Sequence, residues 1–317
     1  MLKIQFRKRL VPLLLFLAIS IAPTFSQSDL NSFFVIEASH SDPIVTTIEE
    51  RVREVSLVLS VTDRKGRFVG NLQPSDFSIF DNDKKQEMLT FFESETDLPL
   101  HVALLLDISS SVAYKFPVEQ GTIGQFFREI ARSPDKIAIF AFNQNVELVT
   151  PAANNWKQVS RRIRKLKADG ETALYDAISN AALWLSQDRE PSRRIIILIT
   201  DGQDNSSKIG ISETITRVLI AEASIYAVNV NDEFPVALAK QATANLKHLA
   251  DATGGIYFHA DSNGGVGNAF GKIRRQLRSQ YAVAYRPSNL AEQAFHHLEV
   301  IVPNNLRVRC RAGYYAK

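Results

Sequence analysis

Apolar and polar residues follow two rhythms along this chain, and the change from one to the other divides it. Val55, Leu57, Leu59 and Val61 alternate with Ser56, Val58 and Ser60, the period-two signature of a strand with one better-buried face. Asp63-Arg64-Lys65-Gly66 reads as a turn. Phe77, Ile79 and the run Met88 to Phe92 supply further β-like segments around a polar turn from Asp81 to Lys85. Nothing in this stretch has helical periodicity, so a small β unit is expected.

From Leu100 the rhythm changes. Val102 to Leu106 is continuously apolar, as a strand buried on both faces should be. A helix is expected to about Arg132, with Phe116, Ile123, Phe126, Phe127 and Ile130 inward. Ile137 to Phe142 reads as a second buried strand. Asn143-Gln144-Asn145 is a tight turn, and Val146 to Val149 a hairpin partner at a sheet edge. Trp156 to Leu166 and Thr172 to Leu185 read as helices. Arg194 to Thr200, with five consecutive Ile and Leu residues, is the most apolar strand and is expected at the sheet centre. Ser212 to Ala223 is a helix with a serine N-cap. Ile225 to Val230 is a strand, and Ala239 to Asp251 a helix ended by Gly254-Gly255. Ile256 to Phe258 is a short strand, and a last helix runs from about Val266 to Leu277. After Ser279 alternation returns at Tyr281, Val283 and Tyr285, then at Leu298 to Val302 and Leu306 to Cys310.

Strands alternating with helices imply a doubly wound, mostly parallel α/β sheet of Rossmann-like type, covered on both faces. The expected organisation is residues 1–26 as a leader, 27–97 as linker and β unit, 98–278 as the α/β domain, and 279–317 as a β segment pairing with the first. Two independent β pieces are the alternative.

The leader changes the reading of charge. Lys3, Arg7, Lys8 and Arg9 precede an apolar run from Leu10 to Ala22, followed by Pro23 to Ser26. This is the layout of a secretory signal, too short for a spanning helix. Removing it takes four positive charges and no negative ones, so the formal charge falls from +3 to −1. The basic balance therefore argues for neither nucleic acid nor an anionic membrane surface, and no membrane span is expected after cleavage. The lone Cys310 excludes an internal disulfide and reads as a half-buried structural thiol.

Ligands of open α/β sheets bind beyond the carboxyl ends of the strands. After the first such strand comes Asp107-Ile108-Ser109-Ser110-Ser111, and after the central one Asp201-Gly202-Gln203-Asp204. Gly170-Glu171-Thr172 stands at a helix start between them. Two carboxylates and three hydroxyls on one rim make a hard oxygen set, suited to Mg2+, Mn2+ or Ca2+ rather than zinc or copper. In a turning loop, residues 107, 109 and 111 can face one ion while Ile108 packs inward.

Asp107-x-Ser109-x-Ser111, Thr172 and Asp201 resemble the metal-ion-dependent adhesion site of von Willebrand factor A domains, in order and on the expected elements, over roughly residues 98–278. The resemblance implies that Ser109, Ser111 and Thr172 ligate the metal directly. It implies that Asp107 and Asp201 act directly or through water, and that a Glu or Asp carboxylate of a partner protein completes the octahedron. Val112-Ala113-Tyr114 stands where a further acidic site could lie, so one metal is expected. The flanks, including Leu72-x-x-x-Asp76-Phe77-x-Ile79-Phe80-Asp81 and Leu306 to Tyr315, look like the exported von Willebrand A-related proteins abundant in acidobacteria. Periplasmic or extracellular protein recognition or adhesion is the implied role.

Other readings are weaker. Catalysis needs a base, and the six histidines are scattered, with His101 and His259 expected as packing residues and no Gly-x-Ser-x-Gly elbow. A metal-dependent hydrolase has no base to use, so no enzyme is expected. Gly264-Gly265-Val266-Gly267 precedes the last helix rather than the first, which argues against a phosphate loop. Asp204 is expected as an exposed loop carboxylate. An envelope scaffold is the remaining alternative, with a structural metal and a binding surface on the β unit near Phe33-Phe34 or Phe91-Phe92.

Overall fold

The chain divides into two units, Met1–Glu50 and Arg51–Lys317. A computed structural model describes residues 54–316 apart from 88, 95–96, 114–120, 127–129, 131–133, 152–155, 189, 231–235, 261–264 and 289–294. The leader, the 27–53 segment, Met88, Phe116 and Phe127 lie outside the described residues.

The described chain begins with β1 (Val55–Thr62), β2 (Ser78–Asp81), β3 (Lys84–Lys85) and β4 (Leu89–Glu93). A single 3-10 turn, Pro74–Asp76, interrupts this β unit, seeded by proline at its first position. The expected polar turn after Asp81 is a tight hairpin into β3. Asn82 and Asp83 both take positive φ, 48° and 64°, as a two-residue hairpin requires.

The α/β part follows: β5 (Leu100–Asp107), a helix α1 at residues 121–126, β6 (Lys136–Phe142) and β7 (Val146–Thr150). Then come α2 (Trp156–Ile163), α3 (Leu174–Ser186), β8 (Arg193–Thr200), α4 (Ile211–Ile220), β9 (Ala223–Asn229), α5 (Val236–Ala252), β10 (Tyr257–His259) and α6 (Gly265–Leu277). Six strands form one sheet in the order β10-β9-β8-β5-β6-β7. All pairs are parallel except the β6–β7 hairpin at one edge. β5 and β8 are central, which explains the unbroken apolar runs Val102 to Leu106 and Ile195 to Ile199 within them.

Alternate residues of β5 feed two cores. Val102, Leu104 and Leu106 face one side with Ile123, Phe126, Phe270 and Ile273. Ala103 and Leu105 face the other with Leu174, Ile178, Val218 and Leu246. Helices α1, α2 and α6 thus cover one face and α3, α4 and α5 the other. The sheet is doubly wound.

α4 starts differently from expectation. Its N-cap is Gly210, and no side chain caps it. Ile209 and Ile211 pack against the core, which fixes the helix entry ahead of Ser212.

The chain ends in β11 (Tyr281–Tyr285), β12 (Phe295–Ile301), β13 (Arg307–Arg309) and β14 (Gly313–Tyr315). These strands interleave with the first ones, giving two four-stranded sheets ordered β13-β1-β11-β4 and β14-β12-β2-β3. Leu57 pairs with Val283 and Leu59 with Tyr281 across β1–β11, and Val300 with Ile79 across β12–β2. The inward alternation of Val55, Leu57, Leu59 and Val61 meets Ile79, Tyr281, Val283 and Tyr314 in a third core. Inside it the Asp81 carboxylate accepts hydrogen bonds from Tyr285 Oη and Tyr314 Oη, each at 2.8 Å, and contacts His296 Nδ1 at 2.8 Å.

One close approach fixes the join between α5 and the sheet. A Cβ on Gly255 would lie 1.9 Å from the Ile225 carbonyl oxygen. Backbone cannot yield as a flexible side chain does, so Gly255→Ala is expected to cost about 1–3 kcal/mol through local overpacking. Urea unfolding followed by circular dichroism measures it, and an unchanged midpoint would refute the close-approach argument.

Candidate metal site

The rim is built by strand ends. β5 delivers Asp107 to the top of the sheet, and the Ile108 N–H donates to the Phe142 carbonyl of the neighbouring strand at 2.8 Å. Ile108 then packs into the core and turns the serines the other way. Asp107 is buried. Its Oδ1 accepts from the Ser109 N–H at 2.9 Å and the Ser109 hydroxyl at 2.6 Å. Ser109 Oγ lies 3.1 Å from Ser111 Oγ. Ser109 is buried and Ser111 exposed, so this row of oxygens runs from the interior out to solvent.

β8 delivers the second carboxylate. Its last residue, Thr200, donates its hydroxyl to Asp107 Oδ2 at 2.6 Å and accepts the Gly202 N–H at 3.0 Å. Gly202 has φ +83°, and a side chain there would meet Leu246. The glycine therefore lets the chain turn tightly after Asp201. Asp201 accepts both the backbone and the side-chain N–H of Gln203, at 3.0 and 3.2 Å. The Asp201 charge reaches Asp107. Burial is the chief cause that pushes Asp107 up to about 6, its hydrogen bonds oppose that, and the Asp201 charge adds to it.

The third segment is held between the other two by backbone. The Ser110 N–H donates to the Gly170 carbonyl at 3.1 Å, and the Asp169 N–H to Ile108 O at 2.9 Å. The buried Thr172 gives its N–H to Asn205 Oδ1 at 2.7 Å, while its carbonyl accepts from the N–H groups of Asn205 and Ser206. The structure thus links Asp107 to Ser109 and Ser109 to Ser111, sets Asp201 within electrostatic reach, and ties Thr172 to the 201–207 loop while its neighbours Asp169 and Gly170 hold the 107–111 loop.

Two residues matter more than the sequence indicated. Thr200 occupies the second oxygen of Asp107, but as the last residue of an apolar run it reads as strand. Asp204 is not a free loop carboxylate. Its Oδ1 accepts the Leu174 N–H at 2.9 Å and the Ser207 hydroxyl, and Ser207 takes the Tyr175 N–H at 3.0 Å. Asp204 and Ser207 thereby satisfy the open N-terminus of α3 and hold the 201–207 loop against Thr172. A cap some thirty residues away leaves no local motif to read.

The donor set fits a hard divalent cation: two neighbouring carboxylates, one already strained toward protonation, beside preclustered hydroxyls. Among the described residues no group of three or more His, Cys, Asp or Glu side chains could hold a metal, so an ion here relies on hydroxyl oxygen. Among the described residues no histidine contacts the Asp107 carboxylate. His101 lies near the opposite end of β5, packed on Trp184 at 4.3 Å between ring centres. His259, expected as a packing residue, is exposed at the end of β10.

A doubly wound sheet whose carboxyl rim carries Asp-x-Ser-x-Ser, a threonine and an aspartate is the arrangement that resembles a von Willebrand factor A-type domain. Comparison with family models agrees: residues 102–203 match the von Willebrand factor type A domain, a span that includes all three rim segments. A von Willebrand factor type A protein from Catenulispora acidiphila has a similar solved structure, at 12% identity and TM-score 0.52, covering 78% of this chain and 74% of that one. At that identity the likeness shows the fold alone. An aerotolerance-related membrane protein from Bacteroides fragilis aligns at 17% identity and TM-score 0.46, covering 56% of this chain and 98% of that one. Manganese-loaded TRAP protein from Plasmodium vivax aligns at 14% and 0.43, covering 71% and 98%. No curated protein matches the chain.

Proposed function

We propose that this protein binds a divalent cation at its sheet rim and uses it to recognise a partner protein outside the cytoplasm. The observation that carries this reading is the Asp107 carboxylate, which gathers Ser109 and Thr200 hydroxyls within 2.6 Å, with Ser111 continuing the row to solvent. Ser109, Ser111 and Thr172 would hold the ion directly, and Asp107 and Asp201 directly or through water. Magnesium is the first candidate, with manganese and calcium as alternatives. When bound, the ion supplies a positive centre for a Glu or Asp carboxylate of the partner. Because many of its protein ligands are neutral, it keeps much of its charge for that contact.

This is a binding site rather than a catalytic one. No described histidine stands by Asp107 to take a proton, and both Asp107 oxygens are occupied by hydrogen bonds. Export rests on the leader at residues 1–26. No helix among the described residues is long and apolar enough to cross a membrane.

The test is a pull-down from envelope or culture-supernatant extract, with wild type and Asp107→Ala, each in magnesium and in chelator. A partner retained by wild type in magnesium alone is expected. An identical catch under all four conditions would overturn the reading. Loss of fold in chelator, read by circular dichroism, would mark the ion as structural instead.

A further inference from the structure

A groove of about 1400 Å³ lies between the edge strand β10, the last helix and the β sandwich. Chain direction separates it from the metal rim. It takes in Asp251 and Gly254 at the end of α5 and Arg274 to Ser279 at the end of α6. Helices in a doubly wound fold run against the strands they connect. Their C-termini therefore lie away from the strand ends that carry Asp107 and Asp201.

Charge singles the groove out. Eight lysine and arginine side chains line it against two acidic ones, although all 317 residues together carry a formal charge of only +3. One of the two acids, Asp251, is already taken by Arg309 at 2.9 Å. Lys65, Lys272, Arg275 and Arg307 are exposed and make no ion pair among the described residues. Cations this crowded repel one another, and a ligand that brings carboxylates relieves the repulsion.

The groove is also apolar beneath its charges. Phe68, Ile256, Phe258, Val300 and Val308 line it, each half-buried. A sulfated polysaccharide or a nucleic-acid duplex offers the groove its charged backbone and would leave that apolar surface unmatched. A polypeptide can offer both kinds of group in one stretch. β10, three residues long, is moreover the end strand of the six-stranded sheet, the kind of edge along which an extended peptide can lie.

We propose that this groove docks an acidic polypeptide segment of a partner, one that carries apolar side chains among its Asp and Glu residues, independently of the metal rim. The test is fluorescence anisotropy on the full chain with a labelled synthetic peptide mixing Glu with Val and Phe. Poly-glutamate of equal length and heparin serve as competitors. The peptide is expected to bind equally in magnesium and in chelator, and more weakly as salt rises. Lys272→Glu/Arg275→Glu/Arg307→Glu alters exposed side chains alone and should weaken it by about tenfold or more. Unchanged circular dichroism certifies the fold of that variant. Competition by poly-glutamate or heparin as strong as by the peptide itself would overturn the proposal in favour of unspecific polyanion binding. So would full affinity in the triple variant, loss in chelator, or no binding at all.

Discussion

Asp81→Ala is expected to destabilise the β sandwich by about 3–5 kcal/mol, the cost of breaking a buried polar cluster from one side. Asp81 is only 5% exposed and is shared by three partners. Removing its carboxylate takes the shared acceptor from the hydroxyls of Tyr285 and Tyr314 and leaves His296 Nδ1 only a 3.5 Å contact with Asn82 Nδ2. None of them can turn to water, and His296 Nε2 already has no partner. The position of these residues magnifies the loss. Asp81 ends β2, while Tyr285, His296 and Tyr314 sit on β11, β12 and β14. One carboxylate therefore joins the first part of the chain to the last across more than two hundred residues. Tyr285→Phe and Tyr314→Phe each remove one donor and leave the acceptor paired with the other two. They should cost about 1 kcal/mol apiece. Guanidinium unfolding of the three variants gives the comparison. An Asp81→Ala midpoint no lower than that of either tyrosine variant would sink the argument that Asp81 is the common anchor.

That cluster also marks where sequence reading stops. The α/β part was legible because its signals are local. Val102 to Leu106 of β5 and Ile195 to Ile199 of β8 are apolar without break, as buried central strands must be, and Gly254-Gly255 closes α5 where the chain has to pass the Ile225 carbonyl. The rim was legible for a related reason: Asp107, Ser109 and Ser111 sit at a fixed short spacing after a strand. Thr200 and Asp204 were not, because each acts on a residue remote in sequence. A threonine completing an apolar run looks like β propensity, and an aspartate capping a helix thirty residues upstream has no pattern of its own. Asp81 was masked by its neighbours Asn82 and Asp83, which truly form a turn. The pairing of β2 with β12 and of β12 with β14 brings Asp81 near Tyr314, and the facing sheet adds Tyr285 from β11.

The same distinction between a group that touches an ion and one that stands behind it governs the other large effect expected. Asp107→Ala should reduce divalent-cation affinity by more than the roughly 10- to 100-fold typical of losing a hydrogen-bond partner behind a ligand. The substitution removes a charge and releases Ser109, whose hydroxyl is held at 2.6 Å by that carboxylate. It also frees the Thr200 hydroxyl on the far side. Thr200→Val keeps the shape of the strand end and deletes just the donor to Asp107 Oδ2. Its loss should fall within that 10- to 100-fold range. Ser111→Ala takes away one proposed ligand hydroxyl and leaves the Asp107–Ser109–Thr200 arrangement whole, so its cation affinity should fall while its circular dichroism stays that of wild type. Isothermal titration with magnesium, repeated with manganese, ranks the three. If Thr200→Val binds as wild type does, the hydrogen bond behind Asp107 has no part in holding the site. If Asp107→Ala binds as wild type does, the ion is held somewhere else and the rim is not its site.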